Sequence, residues 1–563
     1  MKKLRWQFLV VALTLVVVVV LLLTQQQPSA NPILPQAASG GIYTEALVGA
    51  FGRLNPLLDF NNPADRDIDR LLFSSLIKFD SRGVPQPDLA ESWGVSADGT
   101  IYNVTLRGNA TWHDGSPVTS DDVLFTLDLL RSKYSAYSQD VSTLWEGVQI
   151  TRLNDKNIKF VLTEPYVPFL DYLTFGILPK HLLATAAADQ LAANAFNLAP
   201  VGTGPYKFDH LMLEGGKVTG VVLTISKNYY GTAPFVEQIV FRYYSTSQAA
   251  LAAYQAGDVL GISQVSLDVL SSALAEKSLS FYSSRMPRVT LVLLNLGDKS
   301  LPFFQDKKVR NALMLDLNRQ WIVNNLLQGQ GIVADSPILP GTWAYYDGGS
   351  AIGFDPDAAV AGLKAAGYVL PANGTVRANK DNVALSFTLA YPDDALHTQI
   401  AQSIQKDWVA IGVDVKIKAV SYDALLNDYL TPRTYQAALI DLDLSRSYDP
   451  DPYPFWHQAE ITGGQNYSQW DNRTASEYIE QARVVADPGV RTRLYRNFQV
   501  IFARELPALL LYYPVYTFAV DQRVQGVQAA PLFEPADRFN GAPGWYLVTK
   551  RALDQTAQPT TGP

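Results

Sequence analysis

The chain has 563 residues, of which 48% are hydrophobic and 17% charged, and its formal net charge is -8. That length holds several domains or one large two-lobed body, and the apolar content excludes a generally disordered chain. The absence of cysteine excludes disulfide scaffolds, thiolate metal sites and the lipid-bearing cysteine of a bacterial lipoprotein, and no basic run offers a face to nucleic acid.

Lys2, Lys3 and Arg5 precede an apolar run from Phe8 to Leu23 that only Thr14 interrupts. A basic flank before an apolar core reads as an export signal. No strong small-residue cleavage site follows, so a cleaved signal and an uncleaved membrane anchor both stay open. In either case the basic end remains inside and the rest is exported, to the periplasm or the outer face of the cell membrane. Residues 24–40 read as a flexible tether.

Beyond it, short strands alternate with amphipathic helices. Residues 101–107 (IYNVTLR) alternate as a strand, 121–131 follow Ser120 as a helix, and 158–163 form another strand. Residues 245–257 predict a helix closed by Gly257, and the apolar run 290–296 predicts a strand buried on both faces. Val309, Leu313, Leu317, Ile322, Val323 and Leu326 predict one long helix over 306–327. Residues 385–391, 395–410 and 413–420 then make a β-α-β unit, which builds a sheet with parallel strands and covering helices. A helix over 491–504 and an extended strand or strand pair over 507–520 follow, and residues 551–563 read as a tail.

The stretch PDLAESWGVSADGTIYNVTLRGNATWHDGSPVTSDDVLFTLD (87–128) resembles the signature region of the bacterial extracellular solute-binding proteins, family 5. These are peptide, nickel and oligosaccharide receptors of ABC importers. GTGPYKF (202–208), NYYGTAPFVEQIVFRYY (228–244), KKVRNALMLDLNR (307–319), YDPDPYPFWHQAE (448–460) and ELPALLLYYPVY (505–516) extend the resemblance in order. It implies an α/β fold of the type II, Venus-flytrap kind with an extra subdomain. Lobe I would comprise 41–84, 200–285 and 523–550, the subdomain 85–199, and lobe II 286–522. It also implies a monomer that captures an oligopeptide-like solute between its lobes and delivers it to a membrane permease. A receptor for an oligosaccharide or a nickel chelate, a signalling receptor without a permease, and an exported hydrolase on the same scaffold are the alternatives.

The residues themselves call for no cofactor and no catalysis. The five histidines show no HExxH spacing, and neither a G-x-S-x-G elbow nor a Walker loop occurs. Within the signature, Trp112, Val118, Val123 and Phe125 read as core, and Asp114-Gly115 as a tight turn. Gly202 and Gly204 suggest a backbone turn near a domain crossing. Asp441, Asp443, Asp449 and Asp451 cluster without the spacing of a calcium loop. The segment 441–470 mixes acidic, aromatic, proline and glycine residues without helical period, which suits a cleft lined by a few aimed polar groups. In the resembled family this region lines the cleft, and peptide-binding members often hold the ligand's amine with an acidic residue there. Here the aligned position falls on or near Tyr448, with Asp449 next. Tyr448, Asp449, Trp456, Asn466 and Tyr467 are therefore candidate ligand contacts, as are Trp343, Trp145, Asn55 and Tyr391 at loops and strand ends. Each could instead pack its lobe. His457 reads as structural, and Arg433 and Arg446 as solvated surface.

Overall fold

The computed structural model describes residues 34–132, 139–348, 352–445 and 448–552. One twelve-stranded sheet system runs through two lobes. In the first lobe, Ile42–Val48 runs parallel to Gln238–Tyr244, and Lys217–Ile225 and Tyr206–Glu214 continue the sheet antiparallel. In the second, Ser386–Pro392 lies parallel to both Asp414–Val420 and Ala437–Asp443, as the β-α-β pattern predicts. Ala437–Asp443 pairs antiparallel with Arg288–Leu294.

The strand Ala508–Asp521 joins the lobes. Its first half pairs with Arg288–Leu294 and its second with Leu279–Arg285. The change of partner falls at Pro514, whose carbonyl accepts from Met286 N at 2.7 Å. Proline has no N–H for the ladder, so it is tolerated where pairing is handed from one strand to the next. Tyr516, Phe518 and Val520 already pack in the first lobe's core. The crossing thus lies inside the 286–522 span that the sequence reading assigns wholly to lobe II.

Alternation along this strand, shifted by one residue at an irregularity between Leu510 and Tyr512, explains the layers of the second lobe. Leu509 and Leu511 face the core shared with Ile400, Ile404 and Trp408 of the helix Ala395–Ala410. Leu510 and Tyr513 face the opposite core, with Tyr495, Phe498 and Phe502 of the helix Pro488–Glu505. A sheet covered by helices on both faces needs apolar residues on both, which is why its strands read as continuous apolar runs. The signature region folds separately, as a four-stranded antiparallel sheet ordered Ala90–Val95, Ile101–Leu106, Asn157–Val161, Gln149–Asn154. Against it lies the helix Ser120–Arg131, capped by Thr119, with Asp122 bonding back to the Thr119 amide at 2.8 Å. Gly202 and Gly204 seat this subdomain. A Cβ on either would fall 1.9 Å from Leu72 O or 2.2 Å from Leu71 O, so only glycine permits that backbone approach.

Two expected elements differ. The helix predicted over 306–327 breaks after Leu315, and a short turn starts again at Arg319, capped by Asn318. The break lets the Arg319 guanidinium reach the carbonyls of Ala334, Leu510 and Ile352 inside the lobe. Leu34–Ala38, read as tether, instead pairs antiparallel with Val548–Ala552, which takes in the start of the predicted tail. The apolar run of residues 8–23 lies outside the described residues, and among those residues no helix is long and apolar enough to cross a membrane.

A buried ionic triad ties the chain's two ends together. Arg538, fully buried, donates to Glu45 at 2.6 Å and to both oxygens of Asp67 at 2.6 and 2.7 Å. It thereby links the strand Ile42–Val48, the helix Pro63–Leu72 and the segment Pro535–Gly544. Arg538→Met strands two buried carboxylates and is expected to cost about 3–5 kcal/mol in urea unfolding at pH 7; a loss under about 1 kcal/mol would show that the triad is dispensable.

Asp65, on the same helix, is nearly inaccessible. It accepts from Gly52 N (3.1 Å), Arg53 N (2.8 Å) and Asn62 Nδ2 (2.7 Å), yet burial pushes its carboxyl up to about 6. The folded chain holds this proton more tightly than the unfolded one does. Its contribution is therefore fully present below about pH 4 and is lost as pH rises through about 6. Asp65→Asn should remove the matching decline in melting temperature across that window. Parallel profiles for the two proteins would contradict the raised pKa.

Candidate ligand-binding site

A cavity of about 880 Å3, partly open to solvent, lies where the first lobe, the subdomain and a loop of the second lobe meet. Its walls come from the loop and helix 56–74, the hairpin strands Ile77–Phe79 and Pro85–Pro87, the subdomain turn around Asp171, the loop 229–232, the segment 445–454 and the terminal segment 534–544. This size suits a small organic ligand or a short peptide.

Tyr448 closes one side. Its ring stacks on Phe79 at 4.6 Å and 7°, and packs against Phe533 at 4.9 Å. Phe79 belongs to the first lobe's hairpin, so this stack carries contact from one lobe to the other, as does the hydrogen bond from Trp343 N to Arg82 O at 3.0 Å. Beneath Tyr448, Arg70 pairs with Glu534 and, at 3.0 Å, with Asp537. Burial opposes the charge on Arg70, but those two carboxylates outweigh it and hold its pKa above the usual value.

On the subdomain side, Asp88 accepts from Tyr230 Oη at 2.6 Å, and Arg107 lies over the Tyr230 ring. Asp171 accepts the Asp449 backbone N–H at 2.9 Å; burial, then the neighbouring Asp449, pushes its carboxyl well above the ordinary range. Asp69 lines the cavity from the helix Pro63–Leu72. Burial, then Asp59 and Asp65, raise its carboxyl strongly as well. In all, seven acidic side chains and four basic ones line the cavity, a bias towards cationic ligands.

Of the residues nominated from sequence, Tyr448 and Trp145 line this cavity. Trp145 is fully buried behind the surface, edge-on to Phe169 and Phe175 at 5.6 and 6.0 Å. Asp449 sits just behind the wall, locked to Arg491 by contacts of 2.7 and 2.9 Å. Arg491 in turn lies 4.9 Å from the Trp343 ring, so Trp343 supports that ion pair.

The others lie off the cavity lining. Trp456 packs edge-on to Phe502 at 4.8 Å inside the second lobe. Asn466 is fully buried and pins its own turn: Nδ2 donates to His457 O and Trp470 O, while Oδ1 accepts from Trp470 N and Ser468 Oγ. Tyr467 lies under the Arg433 guanidinium at 4.7 Å. Asn55 bonds Asn197 at 2.9 Å and the Leu57 amide, joining two loops. Tyr391 is a core residue of its strand. Trp456, Asn466 and Tyr467 mark where an aperiodic segment is pinned, and pinning calls for the same residue types as ligand contact. Arg433 proves to be a cap for the carbonyls of Leu430, Ile461 and Gly464, while Arg446 lies outside the described residues.

Sequence reasoning missed Asp69, Arg70, Phe79, Asp88, Asp171 and Tyr230. The run PADRDIDR has the look of a solvated helix face. Its one signal was a density of charge unusual beside LLFSSLIKF, a stretch that must be buried.

A two-lobed α/β chain with a walled cavity between its lobes is a solute-binding receptor of the type II kind. The chain belongs to the bacterial extracellular solute-binding proteins, family 5, whose middle-region model matches residues 84–465. It is similar to the oligopeptide-binding protein AppA of Bacillus subtilis (strain 168), with 27% identity over 561 residues, 97% of this chain and 100% of that one. The dipeptide-binding protein of Escherichia coli (strain K12) is 27% identical over 471 residues, 79% of this chain and 84% of its own. The structure of AppA from Bacillus subtilis in complex with a nonapeptide aligns with a TM-score of 0.66 at 26% identity, covering 91% of this chain and 100% of that one.

The placement of Trp456 has a direct consequence. Trp456→Ala should lower the unfolding free energy by about 3–5 kcal/mol in urea, the cost of emptying a packed core site. A variant as stable as the parent would put the ring outside the core.

Proposed function

We propose that this chain captures short peptides outside the cytoplasmic membrane and delivers them to the permease of an ABC importer. The observation that carries the reading is an interlobe cavity in a chain similar, over 97% of its own length and 100% of the other's, to an oligopeptide-binding protein. The chain acts as a monomeric receptor and not as an enzyme, and its apolar N-terminus serves for export or anchoring.

The lobes are joined by the strand Ala508–Asp521 and by the connection from Leu279–Arg285 to Arg288–Leu294. Rotation about these two crossings would open the cavity to solvent and close it over a ligand. The ligand must favour the closed arrangement, because one indifferent to lobe position shifts nothing. Closure also dries the cavity, which strengthens each hydrogen bond aimed into it, and presents to the permease a surface that exists only when cargo is bound.

Native mass spectra of the protein purified without refolding test this reading. A spread of added masses, lost on denaturation and sequenced as peptides, is the expected result. A single sugar or metal-chelate mass would replace the peptide reading with one of the other receptor classes. Turnover of peptide or glycoside libraries, abolished by mutation of a cavity residue, would overturn the receptor reading itself.

A further inference from the structure

The helix Pro63–Leu72 presents to the cavity a carboxylate that the fold leaves unmatched. Asp69 is 3% exposed and lines the cavity. Neither of its oxygens accepts a hydrogen bond of ordinary geometry, although the Asn55 backbone amide lies nearby. Buried carboxylates are ordinarily paired or hydrogen-bonded, because desolvation without compensation is unfavourable.

The chain's own cations are committed elsewhere. Arg66 pairs with Asp59 at 3.8 Å and Glu534 at 3.5 Å, and Arg70 is held by Glu534 and Asp537. The helix dictates this division: spacing of four residues puts Asp65 with Asp69 on one side and Arg66 with Arg70 on another. Asp65, which is not in the cavity wall, takes the amides of Gly52 and Arg53. In the absence of ligand a retained proton can neutralise Asp69, whose carboxyl is raised by burial and its acidic neighbours. A cation that replaces that proton would have to come from the cavity side, where acidic groups outnumber basic ones.

We propose that Asp69, with Asp59 beside it, is a subsite for a side-chain cation of the bound ligand, the ammonium or guanidinium of a lysine or arginine in a peptide, and that it makes the receptor selective for such cationic peptides. This rests on the peptide-receptor reading above. The selectivity comes from the first lobe's helix and not from the residues of the segment 445–454 that also line the cavity.

Titration calorimetry with the tripeptides Ala-Lys-Ala and Ala-norleucine-Ala, which differ only in the side-chain ammonium, tests it on the full chain. The wild type should bind the lysine peptide about tenfold more tightly, the effect of one charge-assisted hydrogen bond. Asp69→Asn, which keeps the size and removes the charge, should bring the two affinities together. Asp65→Asn, on the same helix but off the cavity, should leave the preference intact. Equal affinities in the wild type, or a preference that survives in Asp69→Asn, overturn the subsite while the peptide reading stands. Should neither tripeptide bind the wild type, the peptide reading fails and spermidine decides the subsite. A thermal shift by spermidine that Asp69→Asn abolishes upholds it, and no shift overturns it. Asp59→Asn, read in the same ways, replaces Asp69→Asn if that variant does not fold.

Discussion

The structure depends on one strand having to satisfy its backbone in two lobes at once. Ala508–Asp521 is 14 residues long, and its N–H and C=O groups have no water to bond along a stretch that is almost wholly buried. Its first half finds partners in the second lobe and its last half in the first. The lobes are thereby held on a common axis, with the handover of partners at Pro514. Everything that makes the cavity a cavity, including the approach of Tyr448 to Phe79, follows from that shared element.

Around the cavity the charges fall into two groups with different work. One group is closed on itself: Arg538 with Glu45 and Asp67, Arg491 with Asp449, and Arg483 with Asp451 at 2.8 Å. A buried ion pair adds little net stability over apolar packing, but it is expensive to break, so it holds walls in one arrangement. The other group is Asp69 and Asp171. Burial raises the carboxyls of Glu45, Asp67 and Asp451 in the first group, where an arginine opposes it first, and those of Asp69 and Asp171, where a neighbouring carboxylate adds to it. Such perturbed groups in a cleft are where binding chemistry concentrates. The first group, matched within the protein, holds the walls, while Asp69, which accepts no hydrogen bond of ordinary geometry, is the group the proposed subsite uses.

Much of the architecture could be read from residue order. The β-α-β unit at 385–420 is parallel as expected, because Ile400, Ile404 and Trp408 repeat at helical spacing between two apolar-rich strands. Gly202 and Gly204, read as a backbone turn near a domain crossing, lie where a side chain has no room beside the carbonyls of Leu72 and Leu71, a reason that only the tertiary structure supplies. The helix at 306–327 was misread because its apolar spacing continues across a break that exists only to bury Arg319, and periodicity carries no sign of a distant carbonyl. The site was less legible. Tyr448, nominated from the aperiodic, mixed segment around it, lines the cavity, but Trp456 and Asn466 share that composition and hold the segment in place from within.

What the sequence determined by itself was what depends on neighbours along the chain: strands and helices from apolar period, turns from glycine, and the family from ordered motifs. What only the tertiary structure decided was which charged residues lie buried, and with whom. Asp65, Arg66, Asp69 and Arg70 sit within six consecutive positions of one helix, yet one carboxylate is held by backbone amides, both guanidiniums are paired, and the remaining carboxylate faces the cavity. The cost of burying a charge depends on groups that approach from elsewhere in the chain, Glu534 and Asp537 here, and local sequence does not encode that distance.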